Sequence, residues 1–255
     1  MRRDELQAIY IMWLREIKRF IRSRSRMIVM IVQPLFFLVV LGTGLRTIQL
    51  PGMESKNYTQ FIAPGIITMS IMFSSMFTGI SVLWDKQFGF LQEVLVAPIS
   101  RLSIIVGRTL GGATTALLQG LIILLVAFAL GIFPASITGL FLTLIFMVLS
   151  AFTAVGFGLI IASKMHDMQG FPLIMNLVIM PLIFVSSAFF KLDSFPPWVV
   201  TVAQFNPIFY MVDGLRGSLI GIDNMFHPFL DLLVVVAICI IMMFLGSYFF
   251  SKSEA

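Results

Sequence analysis

Side chains able to carry acid–base, nucleophilic or metal chemistry are sparse in this sequence, and they lie between its apolar runs rather than inside them. His166 and His227 are far apart, and there is no His-x-x-x-His pair. No two carboxylates are spaced to share a substrate, so neither metal ligation nor general acid–base catalysis is indicated. A Gly-x-x-x-x-Gly-Lys-Ser/Thr phosphate loop is also missing, so any nucleotide-derived energy must come from another subunit. The lone Cys239 falls mid-way along the last apolar run and reads as a small apolar residue. An ionised side chain at the centre of a bilayer costs at least about 2.5–3.5 kcal/mol, a cost that proton relays and ion pathways accept for their function. The cores of these runs contain no such residue, with Arg108 and Asp231 near their boundaries. That argues against a proton-driven antiporter, a cation channel or an intramembrane metalloenzyme. What remains is the chemistry of surfaces.

Two segments offer such surfaces. The first, residues 84–101, is charged and helix-length and stands between two long apolar runs. Phe88, Leu91, Val94 and Leu95 fall at helical spacing on one narrow stripe, with Glu93 beside them, and Pro98 stops the helix. This predicts a helix over 86–97 that projects into water and presents its stripe to another protein. The second segment, 4–22, places Leu6, Ile9, Tyr10, Trp13, Ile17 and Phe20 at intervals of one, three or four, with Arg15, Glu16, Lys18, Arg19 and Arg22 facing elsewhere. It reads as an amphipathic helix lying in the membrane interface, aromatic side down and basic side toward headgroups. Either an anchor or a docking surface for a cytoplasmic partner fits that pattern.

The elements that position these surfaces follow from composition. Of 255 residues, 59% are hydrophobic and 11% charged, and the mean hydropathy is +1.02, whereas a soluble domain carries about 25% charged residues. The chain is therefore an all-α integral membrane protein forming a single transmembrane domain. About 20 apolar residues suffice for one crossing. The 55-residue charge-free run over 109–163 breaks at the turn-forming cluster 131–139. Six spans are expected, at 27–45, 61–83, 104–130, 139–162, 169–190 and 229–250. With the N-terminus inside, 13 Lys and Arg residues fall on the cytoplasmic side and four, Arg46, Lys56, Lys191 and Arg216, on the other. That asymmetry puts both termini in the cytoplasm. The pI near 9.7 thus reports topology and contact with anionic lipid rather than with nucleic acid. No cleavable signal peptide is expected from the 26-residue basic lead.

Between the last two spans, 196–220 holds two apolar pieces too short to cross. Asn206 is placed to cap the second, with Pro207 at its first helical position. This predicts a helical hairpin dipping into the outer leaflet, with Asp213 and Arg216 paired on its wet face. In the second span Ser70, Ser74, Thr78 and Ser81 form a hydroxyl stripe that serves either close helix packing or a weakly polar groove wall. Phe37 on the first span and Asn176 on the fifth complete a candidate substrate groove. Gln33 and Gln119 read, like Asn176, as interhelical hydrogen bonders.

Four stretches, in this order and spacing, together resemble the permease subunit of type-2 ATP-binding-cassette exporters, the family of bacterial drug-resistance and polysaccharide or lipo-oligosaccharide export permeases. They are Trp13-Leu-Arg-Glu-Ile-Lys-Arg-Phe20, Tyr58-Thr-Gln-Phe-Ile-Ala-Pro-Gly65, Gln92-Glu-Val-Leu-Val-Ala-Pro-Ile-Ser-Arg101 and Asn206-Pro-Ile-Phe-Tyr-Met-Val-Asp-Gly-Leu-Arg216. The resemblance implies a homodimer, or close heterodimer, of six-span subunits with two cytoplasmic ATPase subunits that bind the ATP and magnesium. It makes 86–97 the coupling helix, with Phe88, Leu91, Val94 and Leu95 as docking contacts and Glu93 as a polar partner. The helix bearing Trp13, Arg15, Glu16 and Arg19 becomes a further ATPase contact, and 164–167 the second cytoplasmic one. An amphiphilic or hydrophobic substrate would pass between subunits along the first, second and fifth spans. Two readings stay open beside it: a passive or secondary transporter, and a membrane scaffold that recruits a soluble partner.

Overall fold

The computed structural model describes residues 3–44, 58–89, 99–192 and 195–252, and every regular element among them is a helix. Helix α1 is Arg3–Arg22. Helix α2 begins as Arg24–Phe36, widens to a π-helical stretch at Phe37–Leu41 and ends in Gly42–Gly44. Then come α3 (Tyr58–Gln87), α4 (Arg101–Ala129), α5 (Ile137–Lys164) and α6 (Gly170–Phe184). Two short helices, α7 (Pro197–Gln204) and α8 (Pro207–Leu219), precede the last, α9 (Pro228–Lys252). Five of these are long and apolar enough to cross a bilayer: Met27–Gly44 within α2, and α3, α4, α5 and α9. The apolar α6 is shorter, and its 15 residues reach about 22 Å, against roughly 30 Å of hydrocarbon. The pattern predicts a span through residue 190. The helix stops at Phe184 because the chain turns at Ser187, whose φ is +63°, and Ser186 to Phe189 bury as irregular backbone against α3. Non-helical backbone at membrane depth is tolerated where protein covers it.

The ends of the helices follow from local chemistry. Ser100 and Ser136 cap α4 and α5 by accepting from the backbone N–H groups of Ser103 (3.2 Å) and Gly139 (2.9 Å). Gly131, with φ +85°, makes the turn between those two helices. Within α2, Pro34 has no N–H to offer the Met30 carbonyl four residues back. Gln119 Nε2, fully buried in α4, donates to that carbonyl instead. Gln119 is thus an interhelical hydrogen bonder, whereas Gln33 and Asn176 are exposed.

Helix α3 is the centre of the bundle, with most of its residues buried between α4 and α5, while α2 and α9 leave most of theirs uncovered. Glycines allow close approach on two sides of the bundle. Gly246 of α9 packs on the Gly156 backbone of α5. On the other side of the bundle, Gly107 and Gly111 of α4 admit Ile9, Met12, Trp13 and Glu16 of α1, so that two rows of every-fourth residues interlock. A Cβ at Gly111 would lie 2.6 Å from Glu16 Cβ. Gly111→Leu should therefore push α1 off α4 and cost about 1–3 kcal/mol, the usual penalty of overpacking. A lowered melting midpoint in detergent, with α1 newly open to protease, is the expected result.

Candidate functional site

The functional geometry begins at the last turn of α3. Asp85, 2% exposed, receives three guanidiniums: Arg15 through Nη1 (2.8 Å) and Nη2 (2.6 Å), Arg19 Nη2 (3.2 Å) and Arg108 Nη2 (2.5 Å). Arg108 is itself fully buried in α4, while Arg15 and Arg19 come from α1 and stay about a quarter exposed. Glu16 is buried too and accepts from Ser81 of α3 at 3.0 Å. Trp13 Nε1 donates to Thr114 of α4 at 3.1 Å. Arg15, Glu16 and Arg19 therefore reach toward the bundle, whereas Lys18 and Arg22 of the same helix stay exposed. The face that packs on α4 carries Ala8, Met12, Glu16 and Phe20, while Leu6 and Tyr10 of the apolar stripe remain exposed.

Directly after this charged knot, α3 ends. Gly89 takes φ +75°, the left-handed position that closes a helix. Phe88 stands 76% exposed at this point. Leu91, Glu93, Val94 and Leu95 lie outside the described residues. Gln87 Nε2 donates to the His166 carbonyl at 2.7 Å, which joins the root of the first loop to the turn between α5 and α6. In that turn Asp167 accepts from the N–H groups of Gln169 (2.8 Å) and Gly170 (2.9 Å). The C-terminal end of α9 arrives here as well, with Phe249 under the Lys164 ammonium (4.5 Å) and Phe250 near the Arg108 guanidinium (5.8 Å).

A second built site closes the opposite end of α3. Asn206 caps α8 by accepting from the Ile208 N–H at 3.0 Å, and its Nδ2 donates to the Leu182 carbonyl, with Pro207 at the first helical position. Arg216 is fully buried: it lies 4.0 Å over the Phe61 ring and donates to Ser187 Oγ (3.0 Å), the Ser187 carbonyl (2.6 Å) and the Phe61 carbonyl (3.4 Å). Burial brings this guanidinium down to about 10 against the opposing fields of Asp213 and Asp223, so it stays charged at neutral pH. Asp213, 1% exposed, accepts from the N–H groups of Met225 and Phe226. The expected Asp213–Arg216 pair on a wet face is thus replaced by two buried anchors, each bonded elsewhere. Tyr58 OH donates to the Phe189 carbonyl (2.9 Å), and Gly65 lets Ala188 sit against α3.

Of the candidate groove residues, Ser70, Ser74 and Thr78 are buried within the subunit, where Ser70 bonds its own helix and Thr78 fills the notch above Gly112. The stripe is used for packing. Phe37 is half-buried in the π-helical stretch, its ring 6.2 Å from Phe189, and Asn176 is exposed on α6. The structure does not bring Phe37 and Asn176 into one site with the hydroxyls. Asp85, Arg108, Phe61 and Ser187 are the residues that sequence reasoning missed. A lone Arg108 between two apolar runs, seven residues after Arg101, was the signal available for one of them.

The sequence matches a known family along most of the chain: residues 7–220 fit the model of the ABC-2 type transporter. The chain belongs to the ABC-2 type transporter family. Among its relatives is the inner membrane transport permease YadH of Escherichia coli K12, 29% identical over 220 residues, covering 85% of this chain and 84% of that one. Nodulation protein J of Rhizobium leguminosarum bv. trifolii is 28% identical over 213 residues, 82% of this chain and 78% of its own. The ycf38 transport permease of Porphyra purpurea is 29% identical over 197 residues, 73% of this chain and 65% of its own, so the chain spans just under two thirds of that relative. This ABC-2 chain is accordingly a multi-pass membrane protein of the transporter family, at home in the cell membrane.

Removing one partner of a buried charge cluster leaves the others uncompensated and costs about 3–5 kcal/mol, whereas removing opposite charges together costs much less. Asp85→Asn should sharply lower the melting midpoint of the ABC-2 chain and release α1. Adding Arg108→Met should recover part of the loss. Melting curves of the two single variants and the double give the coupling directly.

Proposed function

We propose that this chain is the permease subunit of an ATP-driven exporter, working as a homodimer with two copies of a cytoplasmic ATPase. The observation that carries the reading is the gathering of three surfaces at one end of the bundle. The root of the first loop, the 164–167 turn and the inner face of α1 are tied together by Asp85, Arg108 and the Gln87–His166 bond. A partner docked on Phe88, Leu91, Glu93, Val94 and Leu95 would push on a joint shared by α1, α3, α4 and α5. The C-terminal turn of α9 reaches this same end. An even number of crossings follows, which supports six with α6 as the short fifth and both termini in the cytoplasm.

ATP and magnesium belong to the partner, and its closure on ATP is the event that the joint carries into the bundle. The substrate is an amphiphilic or hydrophobic molecule (a drug, a lipid or a lipid-linked glycan) taken between the two permease copies. The uncovered apolar faces of α2 and α6, with Phe37 and Asn176, are the surfaces that suit it. The second span's hydroxyls take no part, because they are spent on packing inside the subunit.

Leu91→Asp should leave expression and membrane insertion unchanged while the co-purifying ATPase falls to background and export stops. Pull-down of the tagged chain from its host, wild type against variant, tests this. Normal export by the variant, or wild-type chain that transports without any ATPase, would overturn the reading.

A further inference from the structure

At the end of the bundle that holds Arg216, the segment after α6 (185–192) meets the loop before α9 (220–227) across a polar cavity. Lys191 Nζ lies 3.6 Å from Asp223 Oδ1, with the Asp223 side chain wholly covered and that of Lys191 20% exposed. The cavity, about 250 Å³, lies between the two segments: Ser187, Lys191 and Leu192 line one wall, and Asp223, Asn224 and Met225 the other. Each wall turns on a left-handed residue other than glycine. These are Ser187 at φ +63° and Asp223 at φ +60°, the two such residues among those described. Left-handed backbone is costly for an L-residue and persists where the surroundings impose it. Here α8 imposes it on both sides. Its Arg216 donates to the hydroxyl and the carbonyl of Ser187, and its Asp213 accepts from the N–H groups of Met225 and Phe226. Both turns are thus fixed from one helix, in positions that bring Lys191 and Asp223 together.

This pair is built differently from the Asp85 knot. There guanidiniums bond the carboxylate at 3.2 Å or less, and parting them would strand buried charge. At 3.6 Å Lys191 and Asp223 attract each other without a direct hydrogen bond between them. The cavity beside them is polar and, at about 30 Å³ of liquid volume per water, large enough to wet both groups as they separate. An ion pair that exchanges its partner for water at small cost can be made and broken repeatedly. We propose that Lys191 and Asp223 form a latch that fastens the segment after α6 to the loop before α9, and that it parts when the bundle opens outward. The pairing stands by itself, and the outward opening rests on the export reading. Helix α6 is short and largely uncovered, so the latch restrains an element that is free to move. Leu192, 4% exposed, lines the cavity and becomes reachable when the latch parts.

Hydrogen exchange on the purified full chain in nanodiscs tests the pairing. Asp223→Asn removes the charge but keeps a residue type that tolerates left-handed backbone. It should speed exchange over 186–192 and 221–226 about fivefold and leave α3 unchanged. Lys191→Gln should do the same, and the two together should add little to either alone, as members of one pair do. Lys191→Arg, which keeps the charge, should exchange like wild type. Wild-type exchange in Asp223→Asn, or a double variant that shows the full sum of the single effects, would overturn the latch. Its part in opening is read on Leu192→Cys in a Cys239→Ala background, labelled in the host's cells by an impermeant maleimide added outside. Labelling should be slow, rise about fivefold on adding Asp223→Asn, and fall on adding Leu91→Asp instead. Equal labelling with and without Asp223→Asn would remove the latch from the opening. Labelling that rises with Asp223→Asn yet ignores Leu91→Asp would keep the latch and count against the export reading.

Discussion

Asp85 is the group on which the arrangement of this protein depends. A carboxylate at 2% exposure keeps its charge only if cations replace the water it has lost, and three guanidiniums do so. That requirement fixes two other helices. Arg108 sets the height of α4 against α3, and Arg15 with Arg19 sets the position of α1. The pairing needs close approach, which Gly107 and Gly111 allow because they lack side chains. The approach in turn buries Glu16, which is tolerable because Ser81 is there to donate. Small residues and charges are thus mutually conditional: neither would hold the helix pair in this register without the other.

The opposite end of α3 is fixed by a different chemistry. There the cation is Arg216, and its partners are carbonyls, a hydroxyl and the face of Phe61 rather than a carboxylate. Phe61 and Asp85 stand 24 residues apart on one helix, about 36 Å by helical rise. Helix α3 is therefore a strut fastened at both ends and buried along most of its length. The elements with the fewest such fastenings are α2, whose hydrogen-bond ladder is already loosened by Pro34 and the π-helical stretch, and α6, which is short and largely uncovered.

Much of this fold was legible in the sequence, because hydrocarbon permits few structures. Apolar runs gave helices, Gly131 and its neighbours gave the break between α4 and α5, and Asn206-Pro207 gave a capped helix start. What escaped was the burial of charge. By periodicity alone Arg15, Glu16 and Arg19 belong to a solvated face, and Asp213 and Arg216 to a surface pair. Their burial is decided by partners 12 to 155 residues away, such as Asp85, Met225, Ser187 and Phe61, which no local pattern encodes. The hydroxyl stripe was ambiguous for another reason: close packing and a polar groove use the same residues at the same spacing, so the choice rests on whether a neighbouring helix covers them. The early end of α6 was hidden because the residues after Phe184 are as apolar as those before it.

These fastenings also determine how a push on the loop would spread, given the proposed docking at Phe88 and the residues after it. Gly89 breaks the helix, so a load applied beyond it reaches α3 through the last turn, where Asp85 passes it to α1 and α4 and Gln87 passes it to the end of α5. Four helices then share the displacement, and motion among them would break buried ion pairs. Sliding the joined block against α2 and α6 breaks far less, because those helices meet it mainly through apolar contacts and single hydrogen bonds such as Gln119 to Met30. An opening driven from that end must therefore appear at the faces of α2 and α6. Those are the same uncovered apolar surfaces on which a second copy of the chain and an amphiphilic substrate would have to meet.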